Sequence, residues 1–368
     1  MPDEVKAGSD LQEAMLEEAK PIALDRVQKG QQERHFYHPS DLHELKIQEP
    51  EYIIDPIIPR RRLILLIGNS TAGKTPFCYQ LAGDVVSGRD VLGYFRHCGK
   101  PCRVAMLDAE SPVEDIKLRL DQQETRKPIE IPENLLIFDI GKVMDNGYIL
   151  SPSCNIEKLV RLAREERIDL LILDNLWALS GGADILRANV VQPILRGLRA
   201  ITMLPHGPSV LILHHPRKGP REKKQRASIL KGDFAVWLEE ASGSYTLVNL
   251  TDVRLGLERV EVKGSDYTVF RGRTRVPGRE QDIGPLYLAV DEEHSLAETD
   301  RRPEVLQNLS DKMAGVEAVL RGLQPPFTTK DVYEAVKGNC SKRTIRRTIA
   351  FLRAHGFLKD VPGGFEWL

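Results

Sequence analysis

The run Gly68-Asn69-Ser70-Thr71-Ala72-Gly73-Lys74-Thr75 carries the densest chemistry in this chain. Glycines at both ends let backbone N–H groups turn inward around an anion. An apolar stretch precedes the run and a helical pattern follows, so it reads as a phosphate cradle at a helix N-terminus. Lys74 would neutralise β- and γ-phosphate charge and the Thr75 hydroxyl would ligate Mg2+, which makes ATP with Mg2+ the expected ligand. Pro76 does not conflict with a helix start, because a first-turn residue needs no N–H partner.

Open α/β sheets bind ligands at the carboxyl ends of their strands, so polar residues just after other apolar runs are the partners to look for. Asp174 ends the run 170–173, where a carboxylate can hold Mg2+ through water; the alternative is a helix cap. Glu110 follows the run 104–109 and is placed to polarise an attacking water. Asp108 is its rival, and either carboxylate could instead cap the helix after Pro112. His214 and His215 follow the run 210–213. His214 is the candidate sensor of the γ-phosphate, and one of the two histidines could instead be structural.

The elements that must position these groups are legible as pattern. Apolar runs at 63–67, 104–107, 135–138, 170–173 and 210–213 alternate with helical segments at 76–87, 112–123, 156–166 and 190–201. Near-continuous apolar strands between helices predict a mostly parallel sheet with helices on both faces. The runs 245–250, 258–262 and 267–270 read as antiparallel strands extending it. No internal repeat is present.

Four regions follow. Residues 1–50 hold eleven Asp/Glu against six Lys/Arg and read as an acidic N-terminal arm. Residues 51–290 form the α/β domain. Residues 291–312 are polar and charged and read as a linker. Residues 313–368 predict a helix at 316–323, a second capped by Thr328 or Thr329, a third from Ser341 to the helix-ending Gly356, and a hairpin around Pro362-Gly363-Gly364, together a small winged helix-turn-helix. Its third helix carries Lys342, Arg343, Arg346, Arg347 and Arg353, with Ile345, Ile349 and Leu352 spaced for a core. Such a helix fits duplex DNA, and such modules also dock proteins.

With 41% hydrophobic and 29% charged residues, the 368-residue chain is neither disordered nor fibrous as a whole. Its formal net charge of −1 rules out a global positive field, so nucleic-acid affinity must come from patches. One patch is residues 216–231, where Arg217, Lys218, Arg221, Lys223, Lys224, Arg226 and Lys231 are opposed only by Glu222. It predicts a mobile loop that binds single-stranded DNA through its backbone. No apolar run approaches the roughly 18 residues of a membrane span. The five scattered cysteines do not form a secreted framework, and a cytoplasmic protein is expected. Cys98 and Cys102, beside His97, have no second ligand pair at finger spacing and read as a turn.

Taken together, the phosphate loop, Asp108-Ala109-Glu110, Leu173-Asp174-Asn175 and His214-His215-Pro216-Arg217-Lys218-Gly219 resemble RecA-like ATPases. More narrowly, over residues 51–275, they resemble hexameric replicative helicases of the plasmid RepA type. The resemblance implies a ring of identical subunits with ATP sites between them, and functional positions at Lys74, Thr75, Glu110, Asp174 and His214. Arg254 matches an arginine that completes a neighbour's site, while Asp252 stands where the family carries a lysine. The basic loop matches a pore loop, and Gly181-Gly182 with Arg187 is a second pore candidate. The implied function is a DNA motor, a 5′-to-3′ helicase of a plasmid, phage or other mobile element, with a replication initiator or primase as partner. The alternatives are a RecA-like recombination or transposition ATPase without unwinding, and a regulator whose DNA binding is switched by ATP.

Overall fold

Each of the five apolar runs of the α/β domain became a strand, four of them fully buried and the edge strand at 135–138 partly so. The computed structural model describes residues 38–44, 49–69, 71–92, 94–150, 156–216, 229, 234–242, 245–262, 265–290, 296–298, 316–317, 319–336, 341–354 and 357–367. In chain order they form α1 (Pro39–Glu44), β1 (Tyr52–Asp55), β2 (Ile58–Pro59), β3 (Leu63–Gly68), α2 (Lys74–Val86), β4 (Arg96–His97), β5 (Val104–Asp108) and α3 (Val113–Arg126). Next come β6 (Leu135–Phe138), α4 (Ile140–Asn146), α5 (Ile156–Glu165), β7 (Leu170–Asp174), α6 (Leu176–Leu179), α7 (Ala188–Met203) and β8 (Ser209–His214). They are followed by α8 (Phe234–Ser242), α9 (Tyr245–Asn249), β9 (Val253–Val262), β10 (Ser265–Thr274), β11 (Gln281–Val290) and β12 (Leu296–Glu298). Last are α10 (Thr329–Val336), α11 (Lys342–Ala354), β13 (Leu358–Val361) and β14 (Gly364–Trp367).

The main sheet has nine strands in the order β12-β11-β10-β9-β3-β8-β7-β5-β6. From β9 to β6 all pairings are parallel, and β10, β11 and β12 continue antiparallel. Period-2 alternation splits its side chains between two cores. Leu63, Leu65, Ile67, Ala105, Leu107, Leu171, Leu173, Val210 and Ile212 face one side, under α5 and α7. Ile64, Leu66, Val104, Met106, Leu170, Ile172, Leu211 and Leu213 face the other, under α2 and a small sheet of order β2-β1-β4. Burial on both faces is why these strands read as unbroken apolar runs.

Three expectations need correction. Residues 245–250 were expected as a strand, but Tyr245–Asn249 is helical. Leu247 and Val248 are both buried there, and the Thr251 hydroxyl donates to the carbonyls of Leu247 and Val248, closing the turn. Packing between α7 and α8 overrides the strand preference of Tyr, Thr and Val. The expected linker at 291–312 contains β12, which pairs with Leu288–Val290. Strand β11 of the antiparallel extension was missed because Gly284-Pro285 interrupts it; β10 and β11 shift register between Phe270 and Gly272, opposite that interruption.

At the C-terminus, Thr328 and Ser341 begin α10 and α11. The Thr328 hydroxyl accepts from Asp331 N–H at 3.3 Å and the Ser341 hydroxyl from Thr344 N–H at 3.1 Å. Val316, Leu320, Phe327, Val332, Ile345, Ile349, Leu352 and Leu358 make a separate core. Hairpin β13–β14 closes it, and Trp367 Nε1–H donates to the Leu320 carbonyl at 3.2 Å. Phe357 stacks on Tyr287 of β11, with ring centroids 6.0 Å apart. Most of the N-terminal arm and Gly356 lie outside the described residues. Among the described residues no helix is long and apolar enough to cross a membrane.

Candidate functional site

Strands β3, β8, β7 and β5 are adjacent, and their carboxyl ends bring together the loop after Gly68, His215, Asp174 and Glu110. The loop's geometry depends on glycine twice. A Cβ on Gly68 would sit 2.6 Å from the Leu257 carbonyl oxygen, and Gly73, the residue before α2, has φ 81°. Ser70 of the cradle lies outside the described residues. Pro76 stands in the first turn of α2, as expected.

Lys74 is 4% exposed, and its Nζ donates to the carbonyls of Gly68 at 2.6 Å and Asn69 at 3.0 Å. Burial lowers this ammonium to about 8. Thr75 Oγ1 donates to Asp174 Oδ2 at 2.7 Å, so the hydroxyl and carboxylate named for Mg2+ are in contact. Burial and the nearby Asp108 raise Asp174 to about 6. These two oxygen donors suit a hard cation, which would hold the Asp174 carboxylate ionised.

The rival carboxylates separate cleanly. Asp108 is buried and accepts from the Tyr79 hydroxyl at 2.9 Å, from Ser111 N–H at 2.9 Å and from Glu110 N–H at 3.2 Å. It organises the turn after β5. Glu110 is exposed, with Oε2 4.0 Å from His215 Nε2, and contacts to His215 and Asn175 hold its carboxyl below the usual range.

The structure places the two histidines differently. His214, still on the strand, is buried and its Nε2 lies 3.0 Å from the Ser242 carbonyl of α8. Burial lowers it to about 4, and its Nδ1 has no partner among the described residues. His215, one residue beyond the strand, turns into the site: Nδ1 accepts from Lys74 Nζ at 3.2 Å and Nε2 lies 3.0 Å from Asn175 Nδ2. An ammonium and an amide NH2 both only donate and a neutral imidazole has one acceptor nitrogen, so these two contacts compete for a single lone pair. Strand alternation is the reason for the different placement, since neighbouring residues cannot share a face. Asn175 was not singled out as a site residue. Its position after Asp174 is its only signal in the sequence.

Arg254 lies on β9, within the sheet. It is 6% exposed in the middle of the sheet, paired in register with Leu65 and Arg273. Its Nε has no partner among the described residues, and burial beside Arg275 and Arg273 lowers it to about 10. Asp252 accepts from Leu63 N–H at 2.9 Å and from the Arg199 guanidinium, so a lysine there would lose a structural anchor.

The DNA-binding candidates are less completely described. Arg217, Lys218, Arg221, Lys223, Lys224, Arg226 and Lys231 lie outside the described residues. In α11, Lys342, Arg346 and Arg347 are exposed, and Arg353 pairs with Asp360. The side chain of Arg343 is outside the description. Arg187 is exposed beside Gly181 and Gly182 but paired with Asp184 at 3.0 Å. The same loop region displays two residues that sequence reading passed over, Trp177 (57% exposed) and Leu186 (43%).

Among solved structures, the chain is similar to a KaiC-like protein from Pyrococcus horikoshii OT3 (13% identity, TM-score 0.44, covering 67% of this chain and 93% of that one). It is also similar to the flagellar accessory protein FlaH from Methanocaldococcus jannaschii (14% identity, TM-score 0.43, covering 66% and 91%). No curated protein sequence matches. A family model described as an AAA domain matches residues 32–221, a span that runs from before β1 through the phosphate loop, Glu110, Asp174 and both histidines. That span is more than half of the sequence, and the chain belongs to this AAA-domain family.

Proposed function

We propose that this protein is a RecA-like, ATP-hydrolysing DNA motor, a ring-forming helicase of a replicon. The observation that carries the reading is the meeting of Lys74, the Thr75–Asp174 pair, Glu110 and His215 at four adjacent strand ends. In this reading the phosphates of ATP take the place of the Gly68 and Asn69 carbonyls as partners of Lys74. Mg2+, held through Thr75 and Asp174, supplies neutralisation of phosphate charge. Glu110, kept ionised by His215 and Asn175, orients and deprotonates the attacking water. His215 loses its hydrogen bond from Lys74 when Lys74 turns to phosphate. Because Pro216 and the basic stretch 217–231 follow at once, the nucleotide state is passed to residues suited to a DNA backbone.

Two features support single-stranded DNA as the partner. Seven basic residues follow His215 closely, and Trp177, three residues after Asp174, offers an exposed ring on which bases stack. The exposed Lys342, Arg346 and Arg347 suit duplex contact, and we read the C-terminal unit as a winged helix that tethers the motor. We keep the domain limits read from the sequence and extend the ATPase unit through β12. The test is ATP hydrolysis with and without short single strands. Stimulation by single strands that is lost in Lys223→Ala/Lys224→Ala/Arg226→Ala, with basal turnover intact, is the expected result. Tight sequence-specific duplex binding with negligible turnover would instead make the protein an ATP-switched regulator.

A further inference from the structure

At the opposite end of the sheet, the turn between β4 and β5 gathers His97, Cys98 and Cys102, with one ligating atom from each lying within 4.8 Å of the others. The backbone is pinned around them. Cys98 N–H donates to the Ile53 carbonyl at 3.0 Å, His97 N–H to Asp90 Oδ1 at 2.8 Å and Cys102 N–H to the Val85 carbonyl at 3.4 Å. Both sulfurs converge on the Lys100 carbonyl, at 3.5 Å for Cys98 and 3.3 Å for Cys102. Cys98 Sγ is 3.9 Å from His97 Nδ1. Zinc–sulfur and zinc–nitrogen bonds of about 2.3 and 2.0 Å at a tetrahedral angle span roughly 3.6 Å, so little movement separates this cluster from a ligand set.

The charges around the turn also fit. The Arg60 guanidinium reaches Cys102 Sγ at 3.4 Å and Cys98 Sγ at 3.9 Å while pairing with Asp169 at 2.7 Å. A divalent cation with two thiolates is neutral, and Arg60 with Asp169 is neutral, so the assembly closes without net charge. Guanidinium donors on the sulfurs and the Val85 carbonyl by the His97 ring are the outer partners such a site uses.

We infer that His97, Cys98 and Cys102 form a zinc-class metal site at the amino-terminal edge of the sheet, separate from the nucleotide pocket. On binding, two Zn–S bonds and one Zn–N bond form, the two thiol protons pass to solvent and coordinated waters leave. Because Cys98 is exposed, one water stays as fourth ligand. Gly99 N–H, now 3.0 Å from His97 Nδ1, must swing away; Gly99 has open space around it, with nothing within 4 Å of an added Cβ. The metal would tie the small sheet, through β4, to the start of β5.

The test is a Co2+ titration of the reduced, chelator-stripped full-length protein. Thiolate-to-cobalt charge-transfer absorption with tetrahedral d–d bands, saturating at one equivalent and displaced by Zn2+, is expected. Cys98→Ser, at an exposed position, should lose the absorption while keeping the basal ATPase rate. Cys154→Ser/Cys340→Ser should keep the absorption, with Zn2+ still raising the thermal midpoint. Absence of the bands in the wild type, their persistence in Cys98→Ser, or their loss in Cys154→Ser/Cys340→Ser would overturn the assignment. So would a reduced protein that binds no metal but forms a Cys98–Cys102 disulfide in air.

Discussion

The two ends of the parallel sheet treat charge in opposite ways. At the carboxyl end, Lys74 is driven down to about 8 and Asp174 up to about 6 by burial that their neighbours do not offset. At the amino end, Asp252 takes the Leu63 N–H and the Arg199 guanidinium. Asp169 takes Arg60 at 2.7 Å and Arg103 N–H at 3.0 Å. One end holds an ammonium and a carboxylate destabilised by burial; the other uses charges to stitch strands together. A buried ammonium and a buried carboxylate perturbed side by side at adjoining strand ends are the pattern of a site.

Substitutions at the two ends should therefore fail differently. Lys74→Ala should abolish ATP turnover and strongly weaken nucleotide binding while the thermal midpoint holds or rises, because it removes a buried cation. Hydrolysis at the wild-type rate in a steady-state assay would remove the phosphate-loop assignment. Next in size, Glu110→Gln should slow hydrolysis about 10²–10⁴-fold while ATP still binds, as loss of a general base requires. Asp108→Asn should instead cost about 1–3 kcal/mol of stability through its buried hydrogen bonds. The reverse pattern, in paired turnover and denaturation measurements, would make Asp108 the base.

At the amino end, Asp252→Ala leaves Arg199 and the Leu63 N–H without their carboxylate, and about 3–4 kcal/mol of stability should be lost. Nucleotide affinity per folded molecule should not change. Urea denaturation beside nucleotide titration checks both, and a selective loss of affinity would place Asp252 in the site.

A smaller effect concerns pH. The folded Asp174 value, about 6, lies above the unfolded value near 3.9, so the nucleotide-free protein binds more protons than the unfolded chain between those limits. Stability should fall by about 2–3 kcal/mol as pH rises from 4 to 6, with the cost complete above 6. Asp174→Asn should remove this contribution. Mg2+ affinity should move the other way, falling as pH drops below about 6. An Asp174→Asn protein with the wild-type pH profile would contradict the buried, destabilised carboxylate.

What the sequence made legible was what its periodicity and motifs encode. Strands β3, β5, β7 and β8 stood out because burial on both faces leaves no polar alternation to confuse. The cradle stood out because glycine and lysine spacing follows from backbone geometry. The separate placement of His214 and His215 was not legible, since both follow one apolar run and only the strand's last residue decides which lies beside Lys74. The burial of Arg254 was equally hidden, because a motif match does not say which side of a sheet a guanidinium occupies. Strand β11 was lost to Gly284-Pro285, and α9 to a Tyr-Thr-Leu-Val stretch whose tertiary packing overrides local preference.

Strand displacement on a forked duplex, by wild type and Glu110→Gln at saturating ATP and Mg2+, tests the motor assignment most directly. The account predicts displacement by the wild type and none by Glu110→Gln, although the variant still binds ATP and single-stranded DNA. No displacement by a wild-type protein that hydrolyses ATP, or equal displacement by both proteins, would contradict it.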